Sequence, residues 1–239
     1  METLAWFGWA EATMRYNETW IAGWITQPAN SWSNLAYIIV GIALFGSAQG
    51  RRGPQDSRLL LPIAAILVGI TSFLYHASST FFFQVSDLAS MYILSSYLVA
   101  DALKRSGGIS RQGFPAALLA LFAASVAALL LVRGKSGAVI FAAQILAAIA
   151  VEIGIYRKSA AKSHYIDYGL ALAMCALAFV FWIVDYRGLF FDPENHFIQG
   201  HAIWHVVNSS CYVFLFRFAA ARDQAPERGE KIAPPAESP

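Results

Sequence analysis

Three histidines are the residues of this sequence best suited to hold a metal ion. His201 and His205 are four residues apart, so a helix would place both imidazoles on one face, one turn apart, as in two-point zinc chelation. His76 would provide a third ligand. Three protein ligands leave a fourth position for water, which is typical of a catalytic zinc site rather than a closed structural one.

Two further residues could serve a reaction at this metal. Ser72 lies four residues before His76 and would share its helix face. A hydroxyl and the carboxylate of Asp87 beside an activated water would supply an oxyanion partner and a proton acceptor. Taken singly, each residue has a structural explanation: His76 could bond to a neighbouring helix, and Ser72 to its own i−4 carbonyl. Their combination favours a metal site with Ser72 and Asp87 as catalytic residues.

The elements that must position these residues are membrane helices. Hydrophobic residues make up 57% of the 239 and charged residues only 13%, whereas soluble domains carry about 25% charged residues. A spanning helix needs roughly 20 predominantly apolar residues. The sequence therefore predicts an all-α integral membrane protein, a seven-transmembrane helix bundle with spans at about 33–49, 60–77, 87–103, 114–132, 137–156, 167–186 and 200–218.

The distribution of lysine and arginine predicts the orientation of the bundle. Thirteen of the 17 basic residues fall in the first, third and fifth connections and the C-terminal tail, and four fall on the other side. Because cytoplasmic loops carry the excess, we expect the N-terminus outside and the C-terminus in the cytoplasm. In this topology the three histidines, Asp87 and Asp185 all come to the outer ends of their helices.

We expect three regions along the chain. Residues 1–32 would form an outer-face, interfacial segment, residues 33–218 the transmembrane domain, and residues 219–239 a disordered cytoplasmic tail. The net charge is only +2, without a basic block interleaved with aromatics, so nucleic acid is not an expected partner. Compact loops and the absence of a signal peptide favour a bacterial inner membrane.

Other polar residues are interpreted as structural. Asp101, Glu152 and Asp167 would lie toward the cytoplasmic ends of their spans, where interfacial water or basic side chains can reach them. His164 and His196 fall in connections and are expected at the surface.

These motifs resemble those of a known family, the alkaline ceramidases, and more distantly the superfamily that includes the adiponectin and progestin receptors. The resemblance covers about residues 8–218. The stretches that carry it are Ser72-Phe-Leu-Tyr-His76, Asp87, Phe181-Trp182-Ile-Val-Asp185, His201-Ala-Ile-Trp204-His205 and, before span one, Asn30-Ser-Trp-Ser33-Asn34.

The resemblance implies a seven-helix zinc amidase that acts on a membrane lipid. His76, His201 and His205 would hold the zinc. Ser72 would stabilise the developing oxyanion, and Asp87 would orient or deprotonate the attacking water. The substrate would be ceramide, and the products a sphingoid base and a free fatty acid.

The sequence departs from the resemblance at a calcium site. Animal members have an Asp-Trp-x-Glu-x-Asn segment and a later glutamate before span one. Here Trp9 and Glu11 are what remains of that segment, and Gln27 takes the later position. Because calcium usually needs more than one carboxylate, we do not expect calcium binding.

Three other functions compete with a lipid amide hydrolase. A non-catalytic membrane receptor on the same zinc scaffold stays open, because receptor relatives keep the same ligands. A retinal-type pump needs a buried lysine, and none lies inside a predicted span. A cytochrome with two axial histidines needs them on facing helices, whereas His201 and His205 share one face.

Overall fold

The computed structural model describes residues 10–48, 55–133, 137–159 and 162–223, and most of them are helical. The helices in these ranges are α1 (Pro28–Trp32), α2 (Leu35–Ala48), α3 (Gln55–Ser78), α4 (Phe81–Ser106), α5 (Phe114–Leu131), α6 (Gly137–Lys158), α7 (Tyr165–Tyr186) and α8 (Gly200–Asp223). Each of the seven predicted spans overlaps one of the long helices α2–α8, and α1 is a short turn before α2. Helix α8 runs to Asp223, five residues beyond the predicted end of its span.

The apolar character of the helices shows a multi-pass membrane protein. Five segments are long and apolar enough to span a membrane: Pro28–Ala48, Leu59–Ser78, Phe114–Leu131, Gly137–Lys158 and Tyr165–Tyr186. Helices α4 and α8, with 26 and 24 residues, are also long enough to span a membrane, but they are more polar than these five segments. These two helices carry most of the buried polar side chains of the bundle, which lowers their mean hydropathy.

The bundle is organised around α4 and α8. Helix α4 packs on α3, α5 and α6, while α8 packs on α7, α2 and α3. Helices α6 and α7 make little contact with one another. Helices α2 and α3 approach closely because each presents a glycine: a Cβ on Gly41 would lie 2.8 Å from the carbonyl oxygen of Pro62, and one on Gly69 would lie 3.1 Å from that of Asn34.

The segment before α1 lies across one end of the bundle. Its backbone bonds to the turn between α3 and α4, where Ala12 N donates to Ser79 O at 2.9 Å and Phe81 N donates to Ala10 O at 2.7 Å. Farther along, Thr19 N donates to Pro193 O at 3.0 Å in the α7–α8 connection. The segment thereby closes the end of the bundle at which α3 ends and α8 begins.

A buried ion-pair network joins α4, α6 and α8 at the opposite end. Arg105 donates to Glu152 at 2.9 Å through Nη1 and to Asp101 at 2.9 Å through Nε, and Arg222 also donates to Asp101 at 2.8 Å. Asp101 and Glu152 are only 4% and 2% exposed. Of the two partners expected for these carboxylates, interfacial water and basic side chains, the structure shows the basic side chains. Asp167 lies nearer the surface and pairs with Arg217 at 3.1 Å.

Candidate functional site

Three histidines converge where α3 ends and α8 begins. His76 lies in the last turn of α3, and His201 and His205 lie in the first two turns of α8. One ring nitrogen from each lies within 4.8 Å of the others, and the Nε2 atoms of His76 and His201 are 3.2 Å apart. All three are buried, with exposures of 0%, 3% and 2%. This group could hold one metal ion.

Asp185 fixes the start of α8 and thereby the position of His201. One carboxylate oxygen accepts from the backbone N–H of His201 at 3.0 Å, and the other accepts from that of Asn17 at 3.1 Å. Both oxygens thus bond to backbone donors, one of them at a helix N-terminus. The carboxylate that the sequence placed at the depth of the histidines is a structural cap rather than a ligand.

Ser72 and Asp87 lie beside the histidines, on α3 and α4. Ser72 Oγ is 3.4 Å from His205 Nε2, and the Asp87 carboxylate interacts with the Ser72 hydroxyl. Asp87 is 8% exposed and does not belong to the group of converging nitrogens. The structure thus brings together all five residues that the sequence singled out, and their roles stay predictions.

A small cavity of about 30 Å³ adjoins this group, and Ser72, Asp87, His201 and His205 line it. A second cavity of about 40 Å³ lies deeper in the bundle and has a mostly apolar lining. The two cavities share lining residues, which are Tyr37, Val68, Met91 and Phe141. The two cavities therefore adjoin one another, the first beside the histidines and the second among mostly apolar side chains.

Three residues around the histidines were not recognised from the sequence. Gln27 Oε1 is 3.0 Å from His76 Nδ1, and Ser33 Oγ is 2.7 Å from His205 Nδ1. Tyr16 stacks on the His201 ring with centroids 3.6 Å apart. Ser33 belongs to the Asn-Ser-x-Ser-Asn motif, which was noticed but given no role. Gln27 and Tyr16 lie outside regular helices, where no periodicity indicates a contact.

The residues of the suggested calcium remnant do not form a cluster in the described chain. Trp9 lies outside the described residues. Glu11 is exposed and pairs with Arg15 at 2.9 Å. A different carboxylate is buried nearby: Glu18, 1% exposed, accepts from the backbone N–H groups of residues 29 and 30, both at 2.9 Å. It also contacts His196 at 3.1 Å, a partly exposed histidine in the α7–α8 connection.

The arrangement of the imidazoles fits a metal ion. A neutral imidazole offers one donor and one acceptor nitrogen. The Nδ1 atoms of His76 and His205 face polar side chains, and the Nε2 atom of His76 faces that of His201. His201 Nδ1 is buried and has no hydrogen-bond partner in the described part of the chain. A cation between the three rings would satisfy the nitrogens that otherwise face one another.

Comparison with known proteins bears on most of the chain. A family model described as Ceramidase matches residues 17–232. The matched range contains all five of the predicted catalytic and metal-binding residues and leaves out Trp9 and Glu11. A search of curated proteins found no match.

Proposed function

Because the chain belongs to the ceramidase family, we propose that it is a zinc-dependent amide hydrolase that cleaves ceramide-type lipids into a sphingoid base and a fatty acid. The observation that carries this proposal is the convergence of three buried imidazoles beside a cavity lined by a hydroxyl and a carboxylate. A neutral nitrogen donor set favours zinc over calcium or magnesium, which prefer oxygen ligands. The family match favours this hydrolase over the receptor that the sequence left open.

The residues around the site suit amide hydrolysis. Zinc held by the three imidazoles would polarise the amide carbonyl and lower the pKa of a water molecule. Asp87 would take a proton from the attacking water as its oxygen bonds to the carbonyl carbon. The Ser72 hydroxyl would donate to the oxyanion that forms. Asp87 would then return the proton to the amide nitrogen as the C–N bond breaks, which releases an amine and a fatty acid.

The cavities support a lipid substrate that enters from the bilayer. The segment before α1 closes the adjoining end of the bundle, whereas α6 and α7 make little contact with one another. Phe141 of α6 and Phe179 and Trp182 of α7 line the cavity on that side. A lipid could enter between these helices, place its amide group beside the histidines and direct one hydrocarbon chain toward the deeper cavity.

We also propose the topology indicated by the basic residues. All seven long helices would span the membrane, with the N-terminus outside and the C-terminus in the cytoplasm. Residues 1–32 would form the outer segment, 33–218 the transmembrane domain and 219–239 the cytoplasmic tail, in a bacterial inner membrane. Reporter fusions after α2, α4 and α6 should all report the cytoplasm, and a periplasmic signal from any of them would contradict this arrangement.

Purified protein offers a direct test of the activity. Incubated with a panel of N-acyl lipids, it should release sphingoid base from ceramides, as measured by lipid mass spectrometry, and a chelator should stop the release. Elemental analysis should find about one zinc per chain. His205→Ala should lose most of the zinc, because two ligands hold it far more weakly than three. His164→Ala, outside the histidine group, serves as the control.

Two results would contradict the proposal. One is a parent protein that contains zinc but hydrolyses no lipid of the panel, which would favour the receptor. The other is full zinc occupancy in His205→Ala, which would remove this residue from the site.

A further inference from the structure

Two side chains that precede α2 contact the Nδ1 atoms of two of the three imidazoles. Gln27 contacts His76 Nδ1 at 3.0 Å, and Ser33 contacts His205 Nδ1 at 2.7 Å. Gln27 is 3% exposed, and the two contacts join residues 49 and 172 positions apart. The hydrogen bonds that each of these side chains makes elsewhere determine which atom carries the shared proton.

The hydroxyl of Ser33 has its only hydrogen committed elsewhere. Ser33 Oγ donates to the backbone carbonyl of Asn30 at 3.0 Å, and a carbonyl can only accept. The hydroxyl oxygen must therefore accept from His205 Nδ1, which carries the proton. The His205 ring is also hydrogen-bonded to the backbone of Asn30, whose N–H is already used by Glu18. The neutral imidazole of His205 then has no proton on Nε2, which lies 3.4 Å from the Ser72 hydroxyl.

The amide of Gln27 is oriented in the same way. Its Nε2 donates to the backbone carbonyl of Glu18 at 2.7 Å, which turns Oε1 toward His76. An amide oxygen can only accept, so His76 Nδ1 must donate. His76 therefore also presents a bare Nε2. This nitrogen is the one that lies 3.2 Å from His201 Nε2.

We propose that Gln27 and Ser33 are positioning residues of the metal centre, which hold His76 and His205 as Nδ1–H tautomers and aim two bare Nε2 atoms at one point. The inference rests on the proposed metal centre but not on the substrate. His201 is held differently, by stacking on Tyr16, and its Nδ1 has no partner in the described chain. Hydrogen bonds from side chains would thus set the tautomers of His76 and His205, whereas the Nδ1 atom of His201 has no such partner among the described residues.

The affinity for zinc in competition with a chelator tests this proposal. Ser33→Ala and Gln27→Met should each weaken zinc binding by about 10–100-fold, as is typical when the partner of a ligating histidine is removed. Ser33→Thr keeps the hydroxyl and should bind zinc like the parent. Ser31→Ala is a control, because Ser31 lies buried in α1 close to Ser33 and, among the described residues, its hydroxyl bonds to a backbone carbonyl, at 2.7 Å, and to no histidine. It should change the affinity by less than about threefold.

Nitrogen-15 NMR of metal-free, histidine-labelled protein gives a second readout that a merely structural role would not change. His76 and His205 should appear as Nδ1–H tautomers in the parent protein and in Ser31→Ala. In Ser33→Ala, His205 should populate both tautomers while His76 keeps its own.

Two results would overturn the proposal: an Nε2–H tautomer of His76 or His205 in the metal-free parent, or zinc affinity in Ser33→Ala and Gln27→Met equal to that of Ser31→Ala. Both readouts are independent of lipid turnover. A protein that binds zinc as expected but hydrolyses no ceramide would therefore contradict the proposed function and leave this inference standing.

Discussion

Replacing Asp87 by asparagine distinguishes two roles that the carboxylate could have at this site, which are to accept a proton from water and to orient a ligating histidine. Asp87 lies outside the group of converging nitrogens and interacts with Ser72. The change nearly preserves size and removes the proton acceptor. We therefore expect zinc content to be unchanged and turnover to fall by about 10²–10⁴, the usual loss for a general base. This corresponds to roughly 3–5 kcal/mol of transition-state stabilisation.

Ser72→Ala should also spare zinc and slow turnover, by up to about 10²–10³, because one oxyanion donor is lost. Since the two side chains interact, their effects should not multiply. The double variant should be less impaired than the product of the two single losses. Asp167→Asn is the matched control, because Asp167 pairs at the surface with an arginine that is 61% exposed.

The assay measures zinc content and ceramide turnover for every variant. If Asp87→Asn keeps both its zinc and full turnover, the assignment of Asp87 as the base is wrong. If it loses zinc affinity by about 10–100-fold and added zinc restores activity, Asp87 orients a ligand instead.

Three further predictions concern the bundle. Arg105→Met should cost about 3–5 kcal/mol of stability in chemical unfolding, because it leaves the Glu152 carboxylate buried without its partner and removes one of the cations around Asp101; Arg217→Met, at an exposed pair, should cost less than about 1 kcal/mol. Gly41→Ala should lower stability by about 1–3 kcal/mol, since its Cβ would overlap α3. Gly46→Ala should leave the stability unchanged, because its Cβ would meet no neighbouring atom within 4 Å. Burial and the nearby Arg222 and Arg105 guanidiniums lower the pKa of His164, so its NMR titration midpoint should fall below the ordinary value and the protonated, low-pH form should be disfavoured.

The sequence predicted the elements of this fold better than their contacts. Twenty apolar residues in a row indicate a helix whatever their neighbours are, so each predicted span overlaps a long helix. The resemblance to ceramidases rests on residues with few substitutes, such as the H-x-x-x-H pair, and the family match confirms it. For Asp101 and Glu152 both water and basic side chains were expected as partners, because a linear pattern does not show that Arg105 and Arg222 reach them.

The surroundings of the site were the least predictable part. Gln27 and Ser33 contact histidines that are 49 and 172 residues away, and neither spacing has a periodic signature. Asp185 was seen at the right depth, but whether its oxygens face a metal or backbone N–H groups depends on where Asn17 passes. Irregular backbone such as residues 10–27 carries no pattern from which its path could be derived.

The positions of the ligands along the chain bear on how the protein is made. His76 is translated 125 residues before His201, and Gln27 and Ser33, which contact the imidazoles, precede both. A nascent chain that has released α3 into the membrane therefore holds one ligand and its partner, but no complete site. At the proposed metal centre, zinc would lack two of its three ligands until α8 has packed beside α2 and α3. Metal loading would thus report that the last helix is in place.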